Sequence, residues 1–144
     1  MKKIALVGMP NTGKSTLFNR LTGAHAKVGN WPGITVDLLS ARLIVGGDLV
    51  QLIDLPGIYD LCGHAEDEKV VTTFLKHQRP DLVMLVMSAT QLERQGRLLS
   101  ELKAQGLPMV IVAATNTPSG IPSRSRISRS TKPWKPVSMK NVEP

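Results

Sequence analysis

The sequence predicts an α/β fold in which a mostly parallel sheet carries one antiparallel hairpin at its edge. Short apolar runs typical of buried strands alternate with segments of helical periodicity up to about residue 116. Between the first strand and the first helix, residues 8–15 read Gly-x-x-x-x-Gly-Lys-Ser. A strand, this glycine-rich loop and a helix in that order form the phosphate-binding loop of P-loop NTPases. We therefore expect the P-loop NTPase fold and a polyphosphate ligand.

The first half of the chain supplies this loop and the hairpin. A short apolar strand precedes the loop, and the helix that follows it ends at Gly23. A stretch interrupted by Gly and Pro is predicted as a loop, and two β-rich runs around Gly46-Gly47-Asp48 predict an antiparallel hairpin. In chain order the predicted elements are strand Ile4–Val7, helix Lys14–Leu21, loop Val28–Thr35 and hairpin strands Val36–Val45 and Leu49–Leu52.

The second half continues the alternation of helix and strand. Glu66–His77 has acidic residues in its first turn and one apolar face, which predicts an amphipathic helix. Asp81–Met87 is a continuous apolar run, as expected of a central parallel strand buried on both faces. Gln91–Gln105 is predicted as a helix and Pro108–Ala114 as another buried strand.

Charge and composition separate the last 28 residues from the rest. Of the formal net charge of +7, residues 1–116 contribute +2 (twelve Lys and Arg, ten Asp and Glu) and residues 117–144 contribute +5 (six and one). The second segment is rich in Pro and Ser and has no apolar periodicity, so it cannot bury enough surface to offset the entropy of ordering. We expect a domain over residues 1–116 and a disordered basic tail over residues 117–144.

Cysteine usage and hydropathy indicate a cytoplasmic protein. Cys62 is the only cysteine, which excludes an internal disulfide and suits a reducing compartment. The longest apolar runs, residues 82–87 and 109–114, are far shorter than the roughly 20 residues that span a bilayer. The apolar run after Met1 is too short for a signal peptide, so we expect neither a leader nor a transmembrane segment.

The phosphate loop itself predicts how the ligand is held. Its glycines, Gly8 and Gly13, allow successive backbone N–H groups to turn inward on the β-phosphate, and the helix N-terminus adds partial positive charge. Lys14 would bridge the β- and γ-phosphates, and the Ser15 hydroxyl would be a ligand of Mg²⁺.

Three further features follow in the order that a nucleotide switch requires. Asp54 would hold Mg²⁺ through water and the Gly57 N–H would reach the γ-phosphate, so that the segment beyond Gly57 senses hydrolysis. Thr35 would give its hydroxyl to Mg²⁺ and its N–H to the γ-phosphate. Asn11 would coordinate a monovalent cation beside the phosphates. Taken together with the phosphate loop, these features predict a GTP switch.

Four segments resemble the amino-terminal G domain of the ferrous iron transport protein B family. They are Gly8–Gly23 (GMPNTGKSTLFNRLTG), Val28–Val36 (VGNWPGITV), Asp54–Leu61 (DLPGIYDL) and Ser88–Arg94 (SATQLER), and the second is the discriminating one. The resemblance covers residues 1 to about 116. It implies a Ras-like G domain that binds GTP and GDP, hydrolyses GTP slowly, and in relatives is fused to a membrane domain that imports Fe²⁺ at the cytoplasmic face of the inner membrane.

The same resemblance implies the residues of the site. The resemblance implies catalytic roles for Lys14, Asn11, Thr35 and Gly57. It implies that Ser15, Thr35 and Asp54 bind Mg²⁺ and that Asn11 binds a K⁺-like activator. The implied nucleotide-binding set is Gly8, Pro10, Asn11, Thr12, Gly13, Lys14, Ser15, Thr16, Gly33, Ile34, Thr35, Asp54, Leu55, Pro56, Gly57 and Asn116.

Several positions depart from this pattern or tune it. Ile58 stands where many GTPases keep a Gln that orients the attacking water, so we predict slow turnover. In Asn116-Thr117-Pro118-Ser119, Ser119 replaces the Asp that would accept hydrogen bonds from guanine, which should weaken discrimination between bases. The closing strand and helix of a G domain are not recognisable. We therefore hypothesise a truncated or reading-frame-altered product whose domain ends near Ala114.

Other functions remain open at this point. The loss of the base-recognition Asp favours a non-catalytic nucleotide-binding scaffold, while the phosphate loop alone would also suit a small ATP-dependent kinase. The basic tail would suit an RNA-associated GTPase, but a solvated charged tail is our prediction, so we expect no nucleic-acid partner. Cys62-x-His64 offers too few ligands for a closed metal site. Self-association stays open.

Overall fold

The computed structural model of the protein describes residues 1–114 and 127–129. Within these residues, strands and α-helices alternate as predicted, and a short 3₁₀ turn at Gly23–His25 follows the first helix. In chain order the elements are β1 (Lys2–Gly8), α1 (Lys14–Thr22), β2 (Lys27–Gly29), β3 (Leu38–Val45), β4 (Asp48–Asp54), α2 (Glu66–Gln78), β5 (Leu82–Ser88), α3 (Leu92–Ala104), β6 (Met109–Ala114) and β7 (Ile127–Arg129).

One mixed sheet is built around β1, with the strand order β2-β3-β4-β1-β5-β6-β7. β1 pairs in parallel with β4 on one side and with β5 on the other, and β5 pairs in parallel with β6. The pairs β2–β3, β3–β4 and β6–β7 are antiparallel. The chain moves to one side of β1 and then to the other, and open α/β sheets bind ligands at the carboxyl ends of strands where the order reverses in this way.

The sheet carries an apolar layer on each face. Along β1, Ala5 and Val7 point into one layer and Leu6 into the other, and all three are fully buried. Helices α2 and α3 cover the first layer, and Phe74 of α2 lies at its centre with no exposed surface. Helix α1 covers the second layer through Phe18. Burying each of these Phe side chains stabilises the fold by about 1.5–3 kcal/mol, so the floor beneath the phosphate loop is anchored on both sides.

The predicted fold class is confirmed, and the differences are local. The turn of the hairpin has positive φ at Gly46 (59°) and Gly47 (88°), the geometry that closes a two-residue hairpin loop. Residues 28–35 were expected to form a loop, but Lys27–Gly29 is a short edge strand paired with β3. The strand predicted to begin at Val36 begins at Leu38.

In the carboxyl-terminal segment, Ile127–Arg129 forms the short strand β7, which pairs antiparallel with β6. The expectation of a disordered tail over residues 117–144 stays a prediction. The main-chain groups of β6 at the sheet edge provide the partner that composition alone does not reveal. Residues 115–126, which include Asn116 and Ser119, and residues 130–144 lie outside the described residues, and the domain boundary stays a prediction. In the part of the chain that the structure describes, no helix combines the length and apolar character needed to cross a membrane.

Candidate functional site: a phosphate cleft at the end of the central strand

The phosphate loop leaves the carboxyl end of β1 and wraps a cleft of about 440 Å³. Two of its residues have positive φ, Asn11 at 62° and Gly13 at 88°, which turns the backbone sharply into α1. A Cβ on Gly8 would lie 2.7 Å from the Val86 carbonyl oxygen, so only glycine lets β1 and β5 stay paired at this point. The Thr12 hydroxyl donates to the Met9 carbonyl at 2.9 Å and fixes the loop from within.

Helix α1 begins at this cleft with its amide groups uncapped. Its N-cap is Gly13, which offers no side-chain acceptor, and its first turn contains no acidic residue. The first N–H groups of a helix have no partner inside the helix and carry partial positive charge. Helix α2 contrasts with it, since Glu66, Asp67 and Glu68 occupy its first turn. The start of α1 is therefore suited to an external anion.

Lys14, which lines the cleft, pairs with Asp54 at the end of β4. The Lys14 ammonium group forms an ion pair with the Asp54 carboxylate, and their side chains are only 9% and 12% exposed. The parallel register of β1 and β4 places Asp54 beside Leu6, two residues before the loop. The sequence assigns both side chains to a ligand and its metal, whereas in this structure they neutralise each other.

The Asp54–Gly57 segment lies directly against the phosphate loop. A Cβ on Gly57 would lie 3.0 Å from the Pro10 nitrogen and 3.1 Å from its Cα and Cγ. The Ile58 N–H donates to the Gly8 carbonyl at 3.0 Å, and the Ile58 side chain is 1% exposed in the core. The Leu55 N–H donates to the Leu6 carbonyl, and the Leu55 side chain is also buried. Neither the N–H nor the side chain of Leu55 is therefore available to a ligand.

Beyond Ile58, the chain is tied to α3. The Asp60 carboxylate accepts the Cys62 N–H at 2.9 Å, and this hydrogen bond holds the pKa of Asp60 below its ordinary value. A hydrogen bond to Asp60 favours the protonated thiol, and burial adds to it, so the pKa of Cys62 is raised. The Arg97 guanidinium, whose pKa is raised mainly by its hydrogen bond to Glu101, donates to the Cys62 sulfur at 3.1 Å.

The loop with Thr35 lies along α2. The Trp31 ring packs edge-on against Phe74 at 5.2 Å between centroids, and the Lys3 ammonium group lies 5.7 Å from the Trp31 ring. The Ile34 N–H donates to the Trp31 carbonyl at 3.0 Å. Thr35 is exposed and is not among the residues that line the phosphate cleft, so this structure does not bring its hydroxyl to Ser15 and Lys14.

The predicted site residues thus fall into two groups. The cleft itself is lined by Met9, Pro10, Asn11, Gly13, Lys14, Ser15, Thr16, Gly57 and Asp67. The loop residues Gly33, Ile34 and Thr35 lie apart from it, and a Cβ on Gly33 would lie 3.8 Å from Thr73 of α2. Pro56 is half-buried in the segment between Asp54 and Gly57. The roles given to these residues stay predictions.

Two lining residues, Met9 within the phosphate loop and Asp67 of α2, are absent from the predicted site residues. The sequence pattern assigns Asp67 only to the first turn of α2, where an acid favours the helix, yet it lines the cleft opposite the phosphate loop. No spacing rule connects Asp67 to the loop, because the packing of α2 on the sheet creates the proximity. In the described residues, no three His, Cys, Asp or Glu side chains are grouped to hold a metal ion. The Ser15 hydroxyl and the Asp54 carboxylate are ligands that suit Mg²⁺, which usually completes its shell with substrate phosphates and water.

Comparison with known proteins decides the family. A family model described as ferrous iron transport protein B matches residues 2–118. The chain belongs to that family. The family resemblance drawn from the four sequence segments is therefore confirmed, and the matched range includes every element of the phosphate cleft.

Curated members of the family are much longer than this chain. A Fe(2+) transporter FeoB from Synechocystis is 50% identical over 109 residues, which is 76% of this chain and 18% of the relative. One from Methanocaldococcus jannaschii is 41% identical over 104 residues, 72% of this chain and 16% of the relative. The chain therefore spans less than a fifth of the length of these relatives.

Solved structures of family G domains share the fold. A G domain of the T. maritima FeoB iron transporter aligns with a TM-score of 0.67 at 34% identity, covering 78% of this chain and 87% of that one. A mutant of S. thermophilus NFeoB bound to GDP aligns with a TM-score of 0.71 at 42% identity, covering 78% of this chain and 44% of that one. The phosphate cleft thus lies in a fold that binds GDP in a relative.

Proposed function

We propose that this chain is a GTP-binding switch domain that hydrolyses GTP slowly and regulates an Fe²⁺ transporter. The observation that carries the proposal is the uncapped start of α1, which opens beside Lys14 into a cleft of about 440 Å³. A triphosphate would place its negative charge at the first N–H groups of α1, which have no side-chain cap, and beside the Lys14 ammonium group. Family membership supports guanine as the base, since a relative binds GDP.

The residues of the cleft fit a magnesium nucleotide. Ser15 lines the cleft, and Asp54 pairs with Lys14, which also lines it, so a hydroxyl and a carboxylate are available beside the phosphate loop. When bound, Mg²⁺ would neutralise charge on the β- and γ-phosphates. In the bound state Lys14 would leave Asp54 for the phosphate oxygens, and Asp54 would then turn to the metal or its water. Asn11, which is exposed at the rim, would hold the K⁺-like cation.

Switching would require the Thr35 loop to move. Thr35 has to reach the metal from a position outside the cleft, and the loop is held along α2 by Trp31 and Phe74. Loss of the γ-phosphate would remove the ligand contacts of Thr35 and of the Gly57 N–H together, and both segments would return to their packed positions. The nucleotide state would thus be converted into two alternative arrangements of the surface.

Slow hydrolysis follows from the burial of Ile58. Ile58 is 1% exposed and lies in the core. Its side chain therefore cannot contact an attacking water or perform the role of the Gln that many GTPases carry at this position. Orientation of the water would fall to backbone groups, to the Gly57 N–H and to the cation at Asn11. We expect turnover well below the rate of GTPases that carry a water-orienting side chain.

The partner proposed for this switch is a membrane transport domain. Relatives named Fe(2+) transporters contain a region like this chain in less than a fifth of their length. A switch of this kind would act at the cytoplasmic face of the membrane, on a transport domain in the same or a separate chain. Iron is the cargo of that partner in this proposal and is not a ligand of the cleft.

Calorimetric titration of the full chain in Mg²⁺ buffer tests the proposal. GTP and GDP should bind, Lys14→Met should abolish or greatly weaken binding, and Lys103→Met, the same change at an exposed site on α3, should leave it intact. Phosphate release should be slow and faster in K⁺ than in Na⁺, and Asn11→Ala should remove that difference. Absence of any nucleotide binding by the unaltered chain would overturn the proposal.

A second candidate is a nucleotide-binding scaffold without guanine specificity. The Ser at position 119, where the base-recognition pattern requires Asp, favours it. A site that holds a base through one neutral acceptor loses the discrimination that a charged bidentate acceptor provides. Equal affinity for GTP and ATP together with no phosphate release would select the scaffold over the switch.

A further inference from the structure

The 59–64 segment, which follows Ile58, is anchored at both of its ends. On one side, the Ile58 N–H donates to the Gly8 carbonyl and the Ile58 side chain is buried. On the other side, the Glu68 carboxylate accepts the N–H groups of His64 at 2.9 Å and of Ala65 at 3.2 Å, which fixes the start of α2. Between these anchors, Gly63 has φ of 76°, and a Cβ there would meet nothing within 4 Å.

The middle of the segment is held by one carboxylate of α3. Glu101 accepts the Leu61 N–H through Oε2 at 2.5 Å, and its Oε1 lies 3.9 Å from the Cys62 sulfur. These groups are 39 and 40 residues apart in sequence, so the contact is tertiary and joins the segment to a different element. In the described part of the chain, the hydrogen bonds from the middle of the segment to another element all lead to α3.

Arg97 orients that carboxylate. Its Nε donates to Glu101 Oε1 at 3.1 Å, one helical turn away, while another guanidinium nitrogen reaches the Cys62 sulfur. The Glu101 side chain is 25% exposed and that of Arg97 is 67% exposed, so Glu101 is the more sheltered of the two. The two side chains form a clip in which Glu101 holds the backbone and Arg97 holds Glu101.

We propose that Glu101 is a positioning residue that holds the 59–64 segment against α3 in the arrangement described above, with Arg97 as its support. The coupling rests on the proposed function, because it assumes that a γ-phosphate at Gly57 rearranges the segment beyond it and that GDP leaves the segment in this arrangement. A contact made in one state of a switch and not in the other weights the equilibrium toward the first state. Breaking the clip therefore favours the triphosphate-bound state over the diphosphate-bound state.

The clip also assigns α3 as the element that responds to the segment. When the Leu61 N–H leaves Glu101, a carboxylate and a guanidinium on one exposed face of α3 lose their contacts with the segment. The exposure of these two charged side chains would then depend on the nucleotide bound in the cleft.

Hydrogen exchange of the nucleotide-free full chain tests the clip directly. Glu101→Ala should raise exchange of the Leu61 amide by about tenfold, since a hydrogen bond to a charged group of this exposure is worth roughly that factor. The Cys62 amide, which donates to Asp60, should change much less. Glu101→Gln keeps an acceptor and should give an intermediate increase. Glu93→Ala, which removes an exposed carboxylate from the first turn of the same helix, should leave these amides unchanged.

Nucleotide affinities test the coupling. In Glu101→Ala the ratio of affinities for a non-hydrolysable GTP analogue and for GDP should rise by about three- to tenfold, with Glu101→Gln between it and the unaltered chain. Unchanged exchange in Glu101→Ala overturns the clip. Raised exchange with an unchanged ratio, or a ratio that shifts toward GDP, overturns the coupling. If the unaltered chain binds no nucleotide, the proposed function and the coupling fail together, while the exchange result still decides the clip.

Discussion

The ion pair between Lys14 and Asp54 makes a prediction about the nucleotide-free protein. Replacing Lys14 by Met leaves the Asp54 carboxylate without its partner, and replacing Asp54 by Asn leaves the Lys14 ammonium group without its partner. Each side chain is about nine-tenths buried, so water compensates only in part. We expect each single variant to be less stable than the unaltered chain, and the double variant to be more stable than the sum of the two losses predicts.

The size of the effect follows from burial and from the open cleft above the pair. Removing one partner of a fully buried ion pair costs about 3–5 kcal/mol. With side chains 9% and 12% exposed beside a cleft of about 440 Å³, we expect a smaller loss, about 1–3 kcal/mol for each single variant. Since the double variant buries no unpaired charge, the coupling free energy should be about 1–2 kcal/mol.

Urea denaturation of the four proteins without nucleotide measures this coupling through a double-mutant cycle. Equal dependence on urea concentration across the set would show that the compact state is unchanged and that the midpoints report stability. Single-variant losses that add to the double-variant loss within about 0.5 kcal/mol would refute the reasoning, because independent sites behave in that way. Added GTP should raise the midpoint of the unaltered chain and leave that of Lys14→Met in place.

Three further predictions test the phosphate loop, helix α3 and the 59–64 segment. Gly8→Ala would place a Cβ 2.7 Å from the Val86 carbonyl oxygen, so thermal unfolding should show a loss of at least about 2 kcal/mol. Gly96→Ala in α3, where a Cβ meets nothing within 4 Å, should instead stabilise the protein by up to about 1 kcal/mol in the same assay. Asp60→Asn should lower the pKa of the Cys62 thiol, because it removes the carboxylate that favours the protonated form. The alkylation rate of Cys62 should then rise at lower pH than in the unaltered chain, and an unshifted pH profile would contradict the assignment.

The contiguous parts of the fold and site were predictable from the sequence. The phosphate loop is eight adjacent residues whose types and order determine its backbone, and β5 is a run of six buried residues that only a central strand accommodates. The hairpin was predictable because Gly46 and Gly47 both take positive φ. In each case the physical cause lies within a few residues of the feature.

The parts that escaped prediction depend on residues distant in sequence. β2 is three residues long and ends at a glycine, so its existence depends on the exposed edge of β3 and not on its own propensity. Asp67 reaches the cleft through helix packing, and Glu101 reaches Leu61 across 40 residues. Thr35 lies outside the cleft because Trp31 packs on Phe74 of α2. No local sequence pattern predicts that contact.

The phosphate loop lies at the end of the central strand β1, whereas the segments proposed to change conformation lie elsewhere. β1 is the central strand, flanked by β4 and β5, and three consecutive residues before the loop are fully buried. Opening that part of the protein requires near-global unfolding, whereas the Thr35 loop and the 59–64 segment lie at the periphery, where opening is inexpensive. Damage to the peripheral segments should therefore leave a protein that still retains nucleotide but no longer reports it. Such a protein would bind nucleotide as intact copies do, without converting the bound state into a change at its surface.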